Sequence, residues 1–272
     1  MQNCDLSTRR EKLHRNRRRL DSPSLLDYPR AMNTATPTLQ LNQPGKFHFK
    51  RIYWLYIGMT LPLVALLAFV VFQPIVVLPR ISLAPGFTLT DQRGEQLTNE
   101  DLRGSLVLYN FTYTQCAEGC QNTSVSMQAA QAWLKESGVA ESGVGGLPVK
   151  LVTVSFDPER DTPQVLQAYA DGLGADPALW HFATGDPLRL KYMIGGGFYT
   201  YFNQRADGTF EFDPAFMLVD GWGILRAEYR QPTLDLAIFE RDLGLIVKEY
   251  EQSEGASRYA YEAAHLFLCY PR

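Results

Sequence analysis

This sequence has no overall excess of basic residues. Its 26 lysines and arginines are outnumbered by 29 aspartates and glutamates, for a formal net charge of -3. The basic residues crowd the N-terminus and leave the remainder mildly acidic, which gives no indication of nucleic-acid binding. A phosphate-binding loop is missing too, because no strand leads into the glycine run at residues 195–197 and no Lys-Ser or Lys-Thr follows it.

Charge is also missing from residues 52–77, an apolar stretch long enough to cross a bilayer. Aromatic residues at its start are typical of a membrane interface, and lysine and arginine are more frequent before it than after it. A cleaved signal peptide is disfavoured, because its apolar part would be too long and no small-residue cleavage site follows closely. We predict one transmembrane helix over residues 52–78. The N-terminus would be cytosolic and the rest periplasmic, or in the mitochondrial intermembrane space if the protein is eukaryotic.

Residues 1–51 have the composition of a disordered basic tail, with arginine-rich runs followed by a stretch rich in proline, threonine and asparagine. Three interpretations of the basic runs stay open. They could contact anionic lipid, form an organellar targeting segment, or be translated only because the start codon was assigned too early, with Met32 the true start.

Strand and helix patterns alternate over residues 85–252. Apolar runs at residues 105–111 and 149–156 predict buried strands, and each is followed by an amphipathic helix. This order predicts an α/β domain of the thioredoxin-like fold, with a central mixed sheet flanked by helices. Residues 253–272 form a C-terminal extension beyond the needs of that fold. The other predicted elements are strands at 87–90, 180–184, 216–219 and 223–229, and helices at 98–101 (a start only), 124–135, 163–173, 187–193 and 234–250.

Cys116 and Cys120 come directly after the first buried strand. Their spacing would put both thiols on one face of a helical turn, where a disulfide can form. Cys116 would lie at the helix N-terminus, which favours a thiolate, so we predict Cys116 as the attacking thiol and Cys120 as the resolving thiol. A permanent disulfide is the alternative, although so short a loop would add little stability. Two thiolates also suit Cu(I), so metal and disulfide chemistry both stay open.

These motifs resemble the Sco/SenC family, membrane-anchored thioredoxin-like proteins associated with assembling the copper A centre of cytochrome oxidase. The most specific element is residues 154–163, Val-Ser-Phe-Asp-Pro-Glu-Arg-Asp-Thr-Pro, which is similar to the family's strand followed by Asp-Pro-x-x-Asp-Thr-Pro. The paired cysteines after an aromatic-rich strand and the single N-terminal anchor match as well. The resemblance covers residues 85–250.

The sequence departs from the family pattern at two positions. Ala117 stands where the family usually has proline, and Phe212 stands where the family's third copper ligand, a histidine, is expected. Without an imidazole, Cu(II) would be held poorly. Pro214 instead resembles the proline that is cis and faces the cysteines in thioredoxins and TlpA/ResA-like reductases; an ordinary proline at the start of a strand is the alternative.

Three functions therefore stay open. The first is a membrane-tethered thiol–disulfide oxidoreductase that uses Cys116, Cys120 and Pro214 to keep cysteines of a cytochrome c oxidase copper-site subunit, or of a copper chaperone, reduced. The second is a copper chaperone that binds copper, Cu(I) rather than Cu(II), through Cys116 and Cys120. The third is a redox-inert scaffold.

Four other residues have a predicted structural or functional role. Asp161 is expected to cap the helix that begins at Pro163, because it lies two residues before it. Asp157 and Glu159 could tune copper release or partner docking, or they could contribute to helix capping, and both interpretations stay open. His181 is expected to be a partly buried strand residue and not a ligand.

Overall fold

The structure is a computed structural model that describes residues 50–72, 75–116, 123–252 and 255–267. The chain divides into two compact units, Met1–Arg51 and Ile52–Arg272. Of the predicted disordered tail, residues 1–51, only Lys50 and Arg51 are among the described residues. Cys120 lies outside the described residues.

The first described element is helix α1, Arg51–Phe72. Among the residues that the structure describes, one helix is long and apolar enough to cross a membrane, over Arg51–Phe69. Helix α1 ends earlier than the predicted residue 78, and residues 75–81 follow without helical structure. Pro74 in the sequence accounts for the earlier end, because the residue before a proline disfavours the helical conformation.

The domain beyond α1 is built on an eight-stranded mixed sheet. Its three central strands, β4, β5 and β6, are parallel, and all other pairings are antiparallel. The strands are β1 Ser82–Leu83, β2 Thr88–Asp91, β3 Gln96–Thr98, β4 Leu106–Thr112, β5 Val149–Ser155, β6 Trp180–Thr184, β7 Phe202–Gln204, β8 Phe210–Phe212, β9 Phe216–Val219 and β10 Ile224–Tyr229. Their order across the sheet is β1-β10-β9-β4-β5-β6-β2-β3, while β7 and β8 form a separate hairpin.

Helices cover both faces of this sheet. They are α2 Ser124–Glu136, α3 Val139–Ser142, α4 Pro163–Gly172, α5 Pro187–Leu190, a π-helical turn at Lys191–Gly197, α6 Leu236–Glu251 and α7 Ala256–Phe267. Alternate residues of β4 enter two different clusters: Leu108 packs with residues of α2, α4 and α6, whereas Phe111 packs with the π-helical turn. All seven residues of β4 are buried, as expected for a strand covered on both faces.

The predicted α/β order is confirmed, including the two parallel crossovers β4–α2–β5 and β5–α4–β6. The helix predicted to start at residues 98–101 is wrong. The Asp101 carboxylate accepts hydrogen bonds from the Thr98 amide and hydroxyl, and this contact closes a turn after β3 in place of a helix. Strand β1, the β7–β8 hairpin and helix α7 were not predicted.

Candidate dithiol site

Three segments with predicted functional residues leave the sheet at one edge. Strands β4 and β5 run parallel with Thr112 opposite Ser155, so the segment leading to Cys116 and the loop at residues 156–162 start side by side. Strand β9 runs the other way, with Phe216 opposite Asn110, so Pro214 lies at this edge as well. The carboxyl ends of parallel strands are where α/β proteins commonly place their sites.

Cys116 is half-buried at this edge and is disulfide-bonded. Its amide donates to the Tyr113 carbonyl at 3.3 Å, which closes a turn directly after β4. The next described helix, α2, begins at Ser124, and residues 117–122 lie outside the described residues. The placement of Cys116 at a helix N-terminus therefore stays a prediction. Cys120 lies outside the described residues.

Asp161 holds the segment that leads to Cys116. Its fully buried carboxylate accepts hydrogen bonds from the Thr114 amide at 2.9 Å, from the Thr114 hydroxyl at 2.5 Å and from the Ser155 hydroxyl. The predicted capping role is wrong: the N-cap of α4 is Thr162, which makes no side-chain cap bond. The parallel pairing of β4 and β5 brings Thr114 and Ser155 next to the Asp161 carboxylate, which therefore binds these three donors and not the N-terminal amides of α4. Asp161 is therefore a tether between the cysteine segment and β5.

A buried polar network fixes the chain where it returns to the fold. The Asn110 side-chain amide donates to the Thr123 hydroxyl at 2.8 Å and accepts from the Thr153 hydroxyl at 2.6 Å. The Trp180 indole N–H donates in turn to Thr153 at 2.8 Å. Thr123 directly precedes α2, so contacts with the sheet hold the chain both before Cys116 and after residue 122.

Arg160 joins three segments around the site. Its guanidinium donates to Asp157, to the side chain of Gln115 at 3.4 Å and to the Gly208 carbonyl at the tip of the β7–β8 hairpin. Burial raises the pKa of Asp157 above its usual value, although the ion pair with Arg160 opposes this shift. Sequence reasoning missed Arg160. The family resemblance could not indicate it, because Arg160 occupies one of the variable positions of the Asp-Pro-x-x-Asp-Thr-Pro motif.

Aromatic side chains pack together on the same face of the sheet as Cys116. The aromatic cluster consists of Tyr113, Phe156, Phe202, Phe210 and Phe212, and Cys116 packs against the same buried core. The Phe212 ring lies 5.1 Å from the Phe156 ring and 6.3 Å from the Tyr113 ring, measured between centroids. The position where a histidine was expected is therefore occupied by an apolar ring with aromatic neighbours. Alternating phenylalanines at 210 and 212 were the sequence signal for a strand with one packed face.

Pro214 lies two residues before β9, and the peptide bonds described by the structure include no cis bond. The cis interpretation is therefore wrong. The Asp213 amide donates to the Tyr201 carbonyl at 3.0 Å, so the extended hairpin backbone continues into the proline without a tight turn. Whether Pro214 takes part in catalysis stays a prediction.

His181 is the half-buried strand residue that was predicted, at the second position of β6. Burial lowers its pKa, and the nearby Lys150 and Arg93 charges lower it further. Within the described part of the chain, no group of three or more histidine, cysteine, aspartate or glutamate residues could hold a metal ion.

Comparisons with known proteins agree with this architecture. A family model described as SCO1/SenC matches residues 78–240. The SCO1 protein homolog of Bacillus subtilis is 29% identical over 99 residues, 36% of this chain and 47% of that protein. The chain thus spans about half the length of the curated relatives it matches.

Solved structures show the fold. BsSco, described as a cytochrome c oxidase assembly protein of the Sco family with a disulfide switch, matches with a TM-score of 0.55 and 21% identity, over 64% of this chain and 98% of BsSco. Copper-bound ScoI of Arabidopsis thaliana matches with a TM-score of 0.50 and 23% identity, over 63% and 99% of the two chains. The predicted thioredoxin-like fold is confirmed.

Proposed function

Because this chain belongs to the SCO1/SenC family, we propose that it serves the assembly of the copper site of cytochrome c oxidase as a thiol–disulfide oxidoreductase. Its Cys116/Cys120 dithiol would keep the copper-site cysteines of an oxidase subunit, or of a copper chaperone, reduced. The description of BsSco as an oxidase assembly protein with a disulfide switch supports this assignment.

One observation favours redox chemistry over copper carriage. Phe212 occupies the position of the expected histidine and packs against Phe156 and Tyr113. An apolar ring offers no lone pair to a metal. The disulfide at Cys116 supports the proposal, because a dithiol oxidoreductase passes through a disulfide-bonded state in each cycle.

The proposed reaction is a two-step thiol–disulfide exchange. The Cys116 thiolate attacks one sulfur of a partner disulfide, which forms a mixed disulfide and releases the partner's other sulfur as a thiolate. The Cys120 thiolate then attacks the Cys116 sulfur, closes the Cys116–Cys120 disulfide and releases the second partner thiolate. Both released thiolates take protons from solvent. Two electrons pass to the partner, and an external dithiol reductant must restore Cys116 and Cys120.

The tethers around the site hold the attacking residue during this exchange. Asp161 fixes Thr114, two residues before Cys116, and Arg160 contacts Gln115, its immediate neighbour. Gln115 is exposed, so a partner reaches the segment from solvent on this side. The same tethers limit the reorganisation that each step requires.

Copper carriage is the second candidate, because a Sco relative of the same fold is known with copper bound. Cys116 and Cys120 would then carry Cu(I) as cargo, held by two soft thiolates. Cu(II) prefers nitrogen and oxygen ligands in a tetragonal arrangement, which two thiolates without an imidazole do not supply.

Copper titration and redox measurement on the purified full-length protein separate the two functions. The protein is reduced, titrated anaerobically with Cu(I) and Cu(II), and equilibrated with glutathione buffers to obtain the dithiol potential. We expect a measurable potential and weak copper binding. Tight one-to-one copper binding that is lost in Cys116→Ala would refute the pure oxidoreductase.

The proposed topology follows from the apolar helix near the N-terminus. Helix α1 would cross the membrane, with the basic tail in the cytosol and the dithiol domain in the periplasm or mitochondrial intermembrane space. Addition of a membrane-impermeant thiol reagent to intact cells after mild reduction tests this orientation: it should label Cys116 and leave Cys4 unlabelled.

A further inference from the structure

Helix α7 has no role in the proposed redox chemistry, and it lies beyond the family match, which ends at residue 240. It contacts the end of helix α1 instead. Val77 and Ala264 are both fully buried in a small apolar cluster, against which Phe69, Ile75 and Tyr261 pack. Phe69 closes the segment that is apolar enough to cross a membrane. Helix α7 therefore lies at the level where the membrane helix ends.

Ionic contacts fix α7 in this position. Arg80 pairs with Glu262 of α7 at 3.3 Å and with Glu249 of α6 at 2.7 Å. His265 of α7 lies 2.9 Å from the same Glu249 carboxylate. The chain that leaves the membrane helix is thus joined to both C-terminal helices.

The outward face of α7 carries large apolar side chains. Tyr259 is 78% exposed and Leu266 is 79% exposed, while Ala264 on the inward face is fully buried. Tyr259 and Leu266 are seven residues apart, which puts them on the same side of a helix. Trp222, which is 43% exposed, lines a cleft together with Tyr261 and Arg258 of α7. Tyrosine, tryptophan and arginine beside a membrane helix are typical of the bilayer interface.

The diameter of a helix and the thickness of the lipid headgroup layer indicate how far α7 lies from the hydrocarbon core. A helix with its side chains is about 10–12 Å across. The headgroup layer on each side of the hydrocarbon core is roughly 5–8 Å thick. The inward face of α7 contacts the last turn of the apolar segment, so its outward face is within about one helix diameter of the end of the hydrocarbon core.

We propose that the outward face of α7, with Tyr259 and Leu266, lies in the lipid headgroup layer and fixes the height of the dithiol domain above the bilayer. This inference rests on the proposed membrane anchoring by α1. The occupant of the face is the bilayer itself, because α7 packs beside Phe69 at the end of the apolar segment, and the lipids that surround that end lie within about one helix diameter of the face.

Depth-dependent fluorescence quenching tests the proposal on the full-length protein in lipid nanodiscs. A background with Cys4→Ser and Cys269→Ser, kept oxidised at Cys116/Cys120, receives one cysteine at a time by Leu266→Cys, Leu63→Cys or Leu188→Cys. Each variant is labelled with the same environment-sensitive dye, and two sets of nanodiscs contain lipids with a quencher either near the headgroup, for position 266, or within the acyl chain, for position 63. Leu63 lies within α1, and Leu188 is a 61% exposed residue of α5 that serves as the aqueous control.

We expect the label at position 266 to be quenched at least about twofold more strongly than the label at 188, as for an interfacial helix. Quenching at 63 with none at 266 would overturn this inference and leave the membrane anchor intact. Absence of quenching at 63 would overturn the anchor, and the inference with it. A second measurement uses hydrogen exchange in nanodiscs. The amides of α7 should exchange faster in the double variant Tyr259→Asp/Leu266→Asp than in the control variant Leu188→Asp.

Discussion

Replacement of Asp161 by asparagine tests the tether between β5 and the cysteine segment. The side chain is fully buried and accepts three hydrogen bonds, two from Thr114 and one from Ser155. A hydrogen bond to a charged group contributes about 1.5–3 kcal/mol, and one between neutral groups about 0.5–1.5 kcal/mol. Asparagine is the same size, so the change removes charge without opening a cavity.

The expected loss follows from these values. Neutralisation weakens each of the three bonds by roughly 1 kcal/mol, and the amide NH2 group requires one hydroxyl to turn and accept. The lower cost of burying an amide offsets part of this loss. We expect the free energy of unfolding to fall by about 2–3 kcal/mol, which corresponds to roughly 4–12 °C in melting temperature for a domain of this size.

Urea unfolding of the oxidised protein measures the change, with Glu159→Gln as the matched control. Glu159 is an exposed carboxylate in the same loop, so its neutralisation should change stability by less than about 0.5 kcal/mol. Thr114→Val removes only the hydroxyl bond to the carboxylate and should cost about 1.5–3 kcal/mol. If Asp161→Asn is as stable as Glu159→Gln, the tether does not contribute to the fold and the reasoning fails.

Three further changes have distinct expected results. Burial alone would raise the pKa of Glu249, but His265, Arg226 and Arg80 outweigh it and lower the pKa to about 2, from 4.5. The ionised carboxylate therefore contributes roughly 3 kcal/mol to the free energy of unfolding above pH 4.5, and this contribution is lost as the pH falls towards 2. Urea unfolding across this pH range should show the loss, and Glu249→Gln should make the free energy of unfolding depend less on pH. Phe212→His should cost about 1–2 kcal/mol of aromatic packing and should introduce Cu(II) binding, visible by electron paramagnetic resonance; an unchanged titration would show that position 212 cannot reach the thiols. Arg160→Ala removes the hydrogen bonds that join Gln115 to the β7–β8 hairpin, so dithiothreitol should reduce the Cys116 disulfide several-fold faster. Equal rates in Arg160→Ala and wild type would show that these hydrogen bonds do not restrict access to the disulfide.

The central strands could be predicted because their residues report burial directly. The largely apolar runs of β4 and β5 are buried on both faces apart from Lys150, and Cys116 follows β4 at the edge where parallel strands end. The role of Asp161 could not be predicted. Its position two residues before Pro163 suits a helix cap equally well, and only the register that aligns Thr112 with Ser155 brings Thr114 within reach.

The hairpin and the last helix escaped prediction for a different reason. Strands β7 and β8 are three residues each, so the alternating phenylalanines at 210 and 212 are too short a pattern to predict a strand alone, and their packed face depends on Phe156 and Tyr113 from distant segments. Helix α7 buries Ala264 against Val77, and the sequence does not indicate that these two residues meet. In both cases the stabilising partner lies far away along the chain.

The β7–β8 hairpin forms a sheet of its own and pairs with no strand of the larger sheet among the described residues. Its displacement from the dithiol would therefore break no ladder of backbone hydrogen bonds with the domain. The opposing free energy comes from ring contacts and the Arg160 bonds, a sum of roughly 3–5 kcal/mol. An open form at that level has a population on the order of 1 in 1,000. Single aromatic substitutions in the hairpin should therefore change the population of this open form without unfolding the larger sheet.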